Sequence, residues 1–128
     1  MSSIKILMAD DEPEILSIMA KRVTQEGYKV ITAADGQEAW DKMIEEDPDV
    51  IISDVDMPRM DGRSFLRNLR QQPPGAKWQP VIFVSSLTDR DAEESCQAEH
   101  YIVKPCRIED ILKAIRLVLP MIPQQHNR

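Results

Sequence analysis

The sequence has little of what marks several protein classes. Its two cysteines, Cys96 and Cys106, show no CxxC or Cys/His ligand spacing, which excludes a disulfide framework and favours reduced thiols in the cytoplasm. No apolar run approaches the roughly 20 residues of a membrane span, and the N-terminus lacks a secretory pattern. The two histidines have no second ligand at metal spacing.

Basic residues are outnumbered by acidic residues. Sixteen Lys and Arg residues oppose 22 Asp and Glu residues, which gives a net charge of −6 and a pI of about 4.9. Nucleic acids and anionic membranes need a basic surface, so we expect no direct binding to either. The 42% hydrophobic and 30% charged residues fit one globular domain. We expect it to span residues 1–119, with 120–128 as a tail or the start of a linker.

Apolar residues alternate between runs of strand length and amphipathic helical stretches. Strands are predicted at residues 4–9, 28–33, 50–53, 81–84 and 101–103. Helices are predicted to start at Pro13, at Asp35-Gly36 and ahead of Phe65, and the best-patterned helix spans residues 108–119. This rhythm predicts an α/β fold, a doubly wound, five-stranded parallel sheet with helices on both faces.

Polar residues stand where the predicted strands end. In chain order these residues are Asp10, Asp11, Asp54, Ser85, Ser86 and Lys104. The carboxyl ends of parallel strands share one edge of the sheet, so these side chains should converge. Clustered carboxylates repel each other unless a cation such as Mg²⁺ offsets their charge. A carboxylate can also accept a phosphoryl group while a metal and a lysine hold its oxygens, so the pattern indicates phosphoryl transfer onto a carboxylate.

Three segments resemble a known family. Asp10-Asp11-Glu12, Asp54-Val55-Asp56-Met57-Pro58-Arg59-Met60-Asp61-Gly62 and Lys104-Pro105 follow the first, third and fifth predicted strands. Over residues 4–119 the chain resembles the response-regulator receiver domain of two-component signalling. The resemblance implies the flavodoxin-like strand order 2-1-3-4-5.

The same resemblance implies a function in phosphorelay signal transduction. The domain would take a phosphoryl group from a phosphohistidine on a sensor histidine kinase or histidine phosphotransfer protein, and then switch its output face. It would not be a stand-alone enzyme, although it would catalyse its own Mg²⁺-dependent phosphorylation and dephosphorylation. An output domain could follow in a longer chain.

The resemblance also implies the residues of a magnesium and phosphoryl site. Asp54 would be the phospho-acceptor and a metal ligand. Asp11 would bind Mg²⁺ directly, with Asp10 acting mainly through water or by orienting its neighbours. The backbone carbonyl of Asp56 would be a further ligand.

Four other residues would act on the phosphoryl group or respond to it. Lys104 would pair with the acyl phosphate, and its peptide bond to the following proline would be cis. Ser85 would hydrogen-bond a phosphate oxygen, with help from the amide of Ser86. Tyr101 matches the aromatic residue that changes rotamer as Ser85 moves.

Three features depart from the family pattern. Cys106 stands where an aromatic residue often follows Lys-Pro, which would loosen the packing there. Asp56 places a further acidic side chain near the mouth of the site. The segment between the fourth and fifth strands is short, and residues 89–100 lack a stripe of large apolar side chains. The fourth helix expected there should therefore be short or poorly ordered.

Two other interpretations stay open. Asp54-Val55-Asp56 is an Asp-x-Asp after an apolar strand, as in phosphohydrolases of the haloacid dehalogenase type, although that motif normally follows the first strand of a longer chain. A receiver-like module that binds a partner without phosphorylation is the second alternative, and the intact acid pair, acceptor and lysine argue against it.

Overall fold

The structure, a computed structural model, describes residues 3–73, 76–86 and 98–123. Its strands are β1 (Lys5–Ala9), β2 (Lys29–Ala33), β3 (Val50–Asp54), β4 (Val81–Ser85) and β5 (His100–Val103). Its helices are α1 (Pro13–Gln25), α2 (Gly36–Glu46), α3 (Gly62–Arg70) and α4 (Ile108–Val118). Each strand lies within one residue of its predicted position at both ends, because the short apolar runs mark the strands clearly.

The five strands form one parallel sheet in the order β2-β1-β3-β4-β5, which confirms the predicted fold. Ala9 of β1 pairs with Ser53 of β3, so β1 ends level with the penultimate residue of β3. Asp54 pairs with Val84 of β4, one residue before that strand ends. The residues that follow β1, β3, β4 and β5 therefore meet along one edge of the sheet.

Helices cover both faces of the sheet. On one face, α1 and α4 pack against alternate strand residues such as Ile6 and Ile52. On the other face, α2 and α3 pack against the intervening residues, including Leu7 and Ile51. The central strands β3 and β4 are buried at every position, as their continuous apolar sequence predicts for strands covered on both sides.

The helix starts follow from local capping chemistry. Pro13 is the first residue of α1, where its missing N–H would have no partner within the helix. Asp35 and Asp61 cap α2 and α3, because each carboxylate accepts a hydrogen bond from a backbone N–H three residues later at 2.8 Å. After α1 the chain turns at Gly27, whose φ of 102° favours glycine.

The last helix ends one residue earlier than predicted, at Val118, and a 3₁₀ turn follows at Leu119–Met121. Pro120 lies inside that turn, where φ near −65° suits it, so regular structure continues slightly past this proline. The predicted short helix between β4 and β5 falls mainly on residues 87–97, which lie outside the described residues. Among the helices of residues 3–73, 76–86 and 98–123, none is long and apolar enough to cross a bilayer.

Candidate functional site

Three acids follow β1 and form a group of oxygen ligands. Asp10 is half-buried, whereas Asp11 and Glu12 are exposed. Asp10 Oδ1 accepts a hydrogen bond from the backbone N–H of Glu12 at 2.9 Å, which stabilises a local turn directly after β1. One carboxylate oxygen from each of the three residues lies within 4.8 Å of the other two. Hard oxygen donors grouped in this way suit a divalent cation of the Mg²⁺ type.

Asp54 is the last residue of β3, and only 8% of its side chain is exposed. It lies at the middle of the sheet edge, since β1 and β4 flank β3. Burial raises the pKa of Asp54 above its usual value, because water is lost around the charge; hydrogen bonding and attraction from Lys104 oppose that rise. Burial likewise raises the pKa of Asp10, whose nearest opposing influences are the Glu12 amide and Lys104.

Lys104 follows β5 and brings the positive charge to this edge. Its Nζ lies 2.9 Å from Asp54 Oδ2, 3.7 Å from Glu12 Oε1 and 3.8 Å from Asp10 Oδ2. Burial alone would lower the pKa of Lys104, but these three carboxylates outweigh that effect and raise it. The ammonium therefore stays charged and reaches all three acids.

The backbone also fixes Lys104. Its N–H donates to the carbonyl of Ser85 at 2.7 Å, which ties the chain after β5 to the end of β4. The Lys104–Pro105 peptide bond is cis, as the resemblance implied.

The predicted switch residues lie on β4 and β5. Ser85 is the buried last residue of β4, and the exposed Ser86 follows it. Because Asp54 pairs with Val84, Ser85 lies one position beyond Asp54 along the neighbouring strand. Tyr101 lies on β5 and is half-buried, with its ring edge-on to Phe83 at a centroid distance of 5.9 Å. The structure thus brings Ser85 to the site edge and keeps Tyr101 further back along the strand.

The loop after β3 carries contacts that the sequence patterns did not reveal. Gly62 N–H donates to the Val55 carbonyl at 2.7 Å, and a Cβ on Gly62 would lie 2.7 Å from the Asp54 carbonyl oxygen. The start of α3 therefore packs directly against the backbone of Asp54, and a residue larger than glycine would clash with that backbone. Arg59, with a φ of 71°, pairs with Asp35 at 3.1 Å and ties the same loop to the start of α2.

Glu12 is a second feature that sequence reasoning missed. It was part of the acidic segment but received no role, whereas its carboxylate contacts Lys104 and belongs to the oxygen group with Asp10 and Asp11. Its position directly after the acid pair is the signal that could have identified it. Asp56 is exposed two residues after Asp54.

Comparison with known proteins gives a consistent result. The family model for the response regulator receiver domain matches residues 6–116. A probable transcriptional regulator, ycf27 of Guillardia theta, is 36% identical over 118 residues, which are 90% of this chain and 45% of that protein. The chain thus spans about half the length of this curated relative.

Solved structures share the fold. The chemotaxis response regulator CheY4 of Vibrio cholerae has a TM-score of 0.82 at 35% identity, covering 92% of this chain and 100% of that one. The receiver domain of the sensor histidine kinase PA1611 from Pseudomonas aeruginosa has a TM-score of 0.79 at 24% identity, covering 91% and 97%. That structure holds a magnesium ion coordinated in its active-site cleft.

Proposed function

Because this chain belongs to the response regulator receiver domain family, we propose that it accepts a phosphoryl group on Asp54 in a phosphorelay. The observation that carries the proposal is the buried Asp54 carboxylate, 2.9 Å from the Lys104 ammonium and on the same sheet edge as three further acids. The site combines a nucleophile, a fixed cation and a set of oxygen ligands, which are the parts that phosphoryl transfer to a carboxylate needs.

The transfer exchanges one bond to phosphorus for another. A carboxylate oxygen of Asp54 attacks phosphorus, and the bond from phosphorus to the donor's imidazole nitrogen breaks. The electron pair of that bond stays on the nitrogen, and the product is an acyl phosphate on Asp54. In dephosphorylation a water oxygen attacks phosphorus and the bond from phosphorus to the Asp54 oxygen breaks. The electron pair of that bond stays on Asp54 as its carboxylate, and the water oxygen leaves as part of inorganic phosphate, which also carries the water's protons.

Lys104 would contact the phosphoryl group throughout this exchange. Its ammonium already donates a hydrogen bond to a carboxylate oxygen of Asp54, so it can hold a phosphoryl oxygen with little rearrangement. Ser85 would donate its hydroxyl to a second oxygen, with the Ser86 amide beside it. Tyr101, which lies on β5 and packs against Phe83 of β4, would change rotamer when Ser85 moves.

The acids would hold Mg²⁺ at the same place. We assign Asp11 as the direct ligand, Asp54 and the Asp56 carbonyl as further ligands, and Asp10 as the residue that orients them. The hard oxygens near Asp11 fit this ion, and the excess negative charge there requires a cation. When bound, Mg²⁺ would neutralise charge on the phosphoryl oxygens.

We further propose the setting in which the domain acts. The donor would be a phosphohistidine on a sensor histidine kinase or a histidine phosphotransfer protein in the cytoplasm. Residues 1–119 would form the receiver domain, and residues 120–128 would be a tail or lead into a linker. An output domain is supported by the relative named a transcriptional regulator, of which the chain covers 45%.

Acetyl phosphate tests the proposal without the natural donor. We expect the chain to gain the mass of one phosphoryl group when it is incubated with acetyl phosphate and Mg²⁺, as measured by intact mass spectrometry. Asp54→Asn keeps the size of the side chain but removes the nucleophile, and it should gain nothing. Asp56→Asn, which alters the neighbouring exposed acid, is the matched control and should still be phosphorylated.

Two results would contradict this assignment. Phosphorylation of the Asp54→Asn variant would place the acceptor elsewhere. A complete lack of phosphorylation of the native chain, with Mg²⁺ bound, would favour a module that binds its partner without phosphorylation.

A further inference from the structure

A cavity of about 390 Å³ lies beside Asp54, between α1, α4 and the sheet. Its floor is apolar and consists of Met8, Ile52 and Val84, one residue from each of the three central strands. Met19 of α1 forms part of one wall. The volume falls in the range of pockets that enclose small molecules, roughly 300–1,000 Å³.

The wall of the cavity on the side of α4 includes Cys106, which has a small side chain. Cys106 and Ile111 of α4 line that wall, and both pack against the core beneath α1 and α4. A larger side chain at position 106 would extend into the space that the cysteine leaves. Burial raises the pKa of the Cys106 thiol, so the sulfur is neutral and adds to the apolar lining.

One end of the cavity is strongly charged. Asp10, Glu12 and Asp54 line it together with Lys104. Three carboxylates against one ammonium leave a formal charge of −2 where the apolar space opens to the acids. This end attracts a cation and repels an anion, whereas the rest of the lining favours an apolar body.

We propose that this cavity binds a small hydrophobic amine. Its apolar body lies between α1 and α4 against Met8, Met19 and Cys106, and its ammonium faces the carboxylates of Asp10 and Glu12. Thioether sulfurs make favourable contacts with aromatic rings, so an arylalkyl amine is the best-matched class. This site goes beyond phosphoryl acceptance, because its binding energy comes from an apolar space that the phosphoryl group does not use.

Alkylation of Cys106 tests the proposal directly. In a Cys96→Ser background, Cys106 is the single cysteine, and its reaction with iodoacetamide is followed by intact mass in the presence of a metal chelator. Three probes of similar size differ in charge: 2-phenylethylamine, 2-phenylethanol and phenylacetate. We expect the amine to protect Cys106 at concentrations about tenfold lower than the alcohol, with the least protection from phenylacetate.

A cavity-filling variant gives an independent test. Cys106→Phe should weaken 2-phenylethylamine binding at least about tenfold in calorimetry. Leu117→Phe, which adds an aromatic ring at an exposed position of α4, is the matched control and should bind like the native chain. If Cys106→Phe does not fold, the alkylation experiment still decides.

Two outcomes of the alkylation experiment would overturn the proposal: equal protection by the three probes, or no protection by the amine at millimolar concentration. Unchanged amine binding in a folded Cys106→Phe variant would also overturn it. Neither assay contains a phosphoryl donor, so a failure here is distinct from a failure of Asp54 to accept phosphate.

Discussion

Lys104 Nζ lies 2.9 Å from Asp54 Oδ2, although 50 residues separate the two along the chain. The carboxylate is nearly buried, and this lysine is its closest positive partner in the described part of the chain. The pair joins the central strand β3 to the strand β5 across β4. The ion pair at the site can therefore form only when β5 is in place beside β4.

Removing the lysine should show this coupling. Lys104→Met leaves a buried carboxylate without its counter-charge, so we expect the free energy of unfolding to fall by about 1–3 kcal/mol in metal-free buffer. In the Asp54→Asn background, Lys104→Met should lower the free energy of unfolding by clearly less, because the buried charge of Asp54 is gone. Urea unfolding of the four proteins in this double-mutant cycle gives the interaction energy. Equal costs in both backgrounds would show that the ion pair contributes nothing to stability.

The acidic end of the pH range offers a second test. Burial raises the pKa of Asp54 and Asp10 above the usual value near 3.8, so the native protein binds these protons more tightly than the unfolded chain does. Protonation of these two groups thus favours the native state. Their charged forms lower the free energy of unfolding, and this loss is relieved as the pH falls through their raised pKa towards 3.8. Above that window the destabilisation is fully present.

The contribution of Asp10 is separated from that of the other carboxylates by comparing the free energy of unfolding of two proteins. In the presence of chelator, the native chain should gain stability relative to the Asp10→Asn variant as the pH falls from 7 to 4. Urea midpoints measured at each pH give this difference. A native-to-variant difference that stays constant with pH would mean that the native pKa of Asp10 is not raised.

Adding and removing Mg²⁺ gives the third prediction. An ion that binds the folded acids and not the unfolded chain stabilises by mass action, by about 2.7 kcal/mol at 100 times its dissociation constant. The melting temperature should therefore rise with Mg²⁺ and return to its starting value with chelator. Asp11→Ala should lose most of the response, and it should not destabilise the metal-free protein because it relieves repulsion among the acids.

The matched control for this prediction is Asp41→Ala, which removes an exposed carboxylate from α2. It should keep the full Mg²⁺ response. A full response in Asp11→Ala would mean that Asp11 is not a ligand, and the exposed Glu12 of the same oxygen group would be the next residue to replace.

Replacing Gly62 by alanine should lower the free energy of unfolding, which is the opposite of what helix propensity predicts. Alanine in place of glycine normally stabilises a helix by up to about 1 kcal/mol. Here a Cβ would lie 2.7 Å from the Asp54 carbonyl oxygen and 3.1 Å from the Phe83 ring, so Gly62→Ala should cost about 1–3 kcal/mol. It should also slow phosphorylation by acetyl phosphate, because the backbone of the acceptor must shift.

Arg67→Ala, at an exposed position of the same helix, is the control for Gly62→Ala and adds no atom near the Asp54 backbone. Thermal unfolding and the rate of mass gain are measured for both variants. Stabilisation by Gly62→Ala would show that the start of α3 can move away from Asp54 at little cost.

The sequence was informative where a local pattern decides the structure. Apolar runs located the five strands, and Asp35-Gly36 marked the start of α2 as capping chemistry predicts. The strand order came from the resemblance, because hydrophobic periodicity does not specify which strands are neighbours. The convergence of Asp10, Asp54 and Lys104 followed once strand ends and parallel order were combined.

Features that depend on three-dimensional loop paths were not predictable. The Arg59–Asp35 pair joins residues 24 apart, and Arg59 has a positive φ that its sequence gives no reason to expect. Glu12 reaches Lys104 through the turn made by the Asp10 carboxylate. The cysteine after Lys-Pro suggested looser packing, but its sequence position could not show a cavity of about 390 Å³.

The position of β5 in the sheet also determines how late in synthesis the charged site can form. β5 is the outermost strand and pairs with β4 alone, yet the chain directly after it supplies Lys104. A nascent chain on the ribosome would expose Asp10, Asp11 and Asp54 well before this lysine has emerged. Until β5 has docked on β4, these acids lack the positive charge of Lys104, whose Nζ lies 3.8 Å from Asp10 and 2.9 Å from Asp54 in the folded domain.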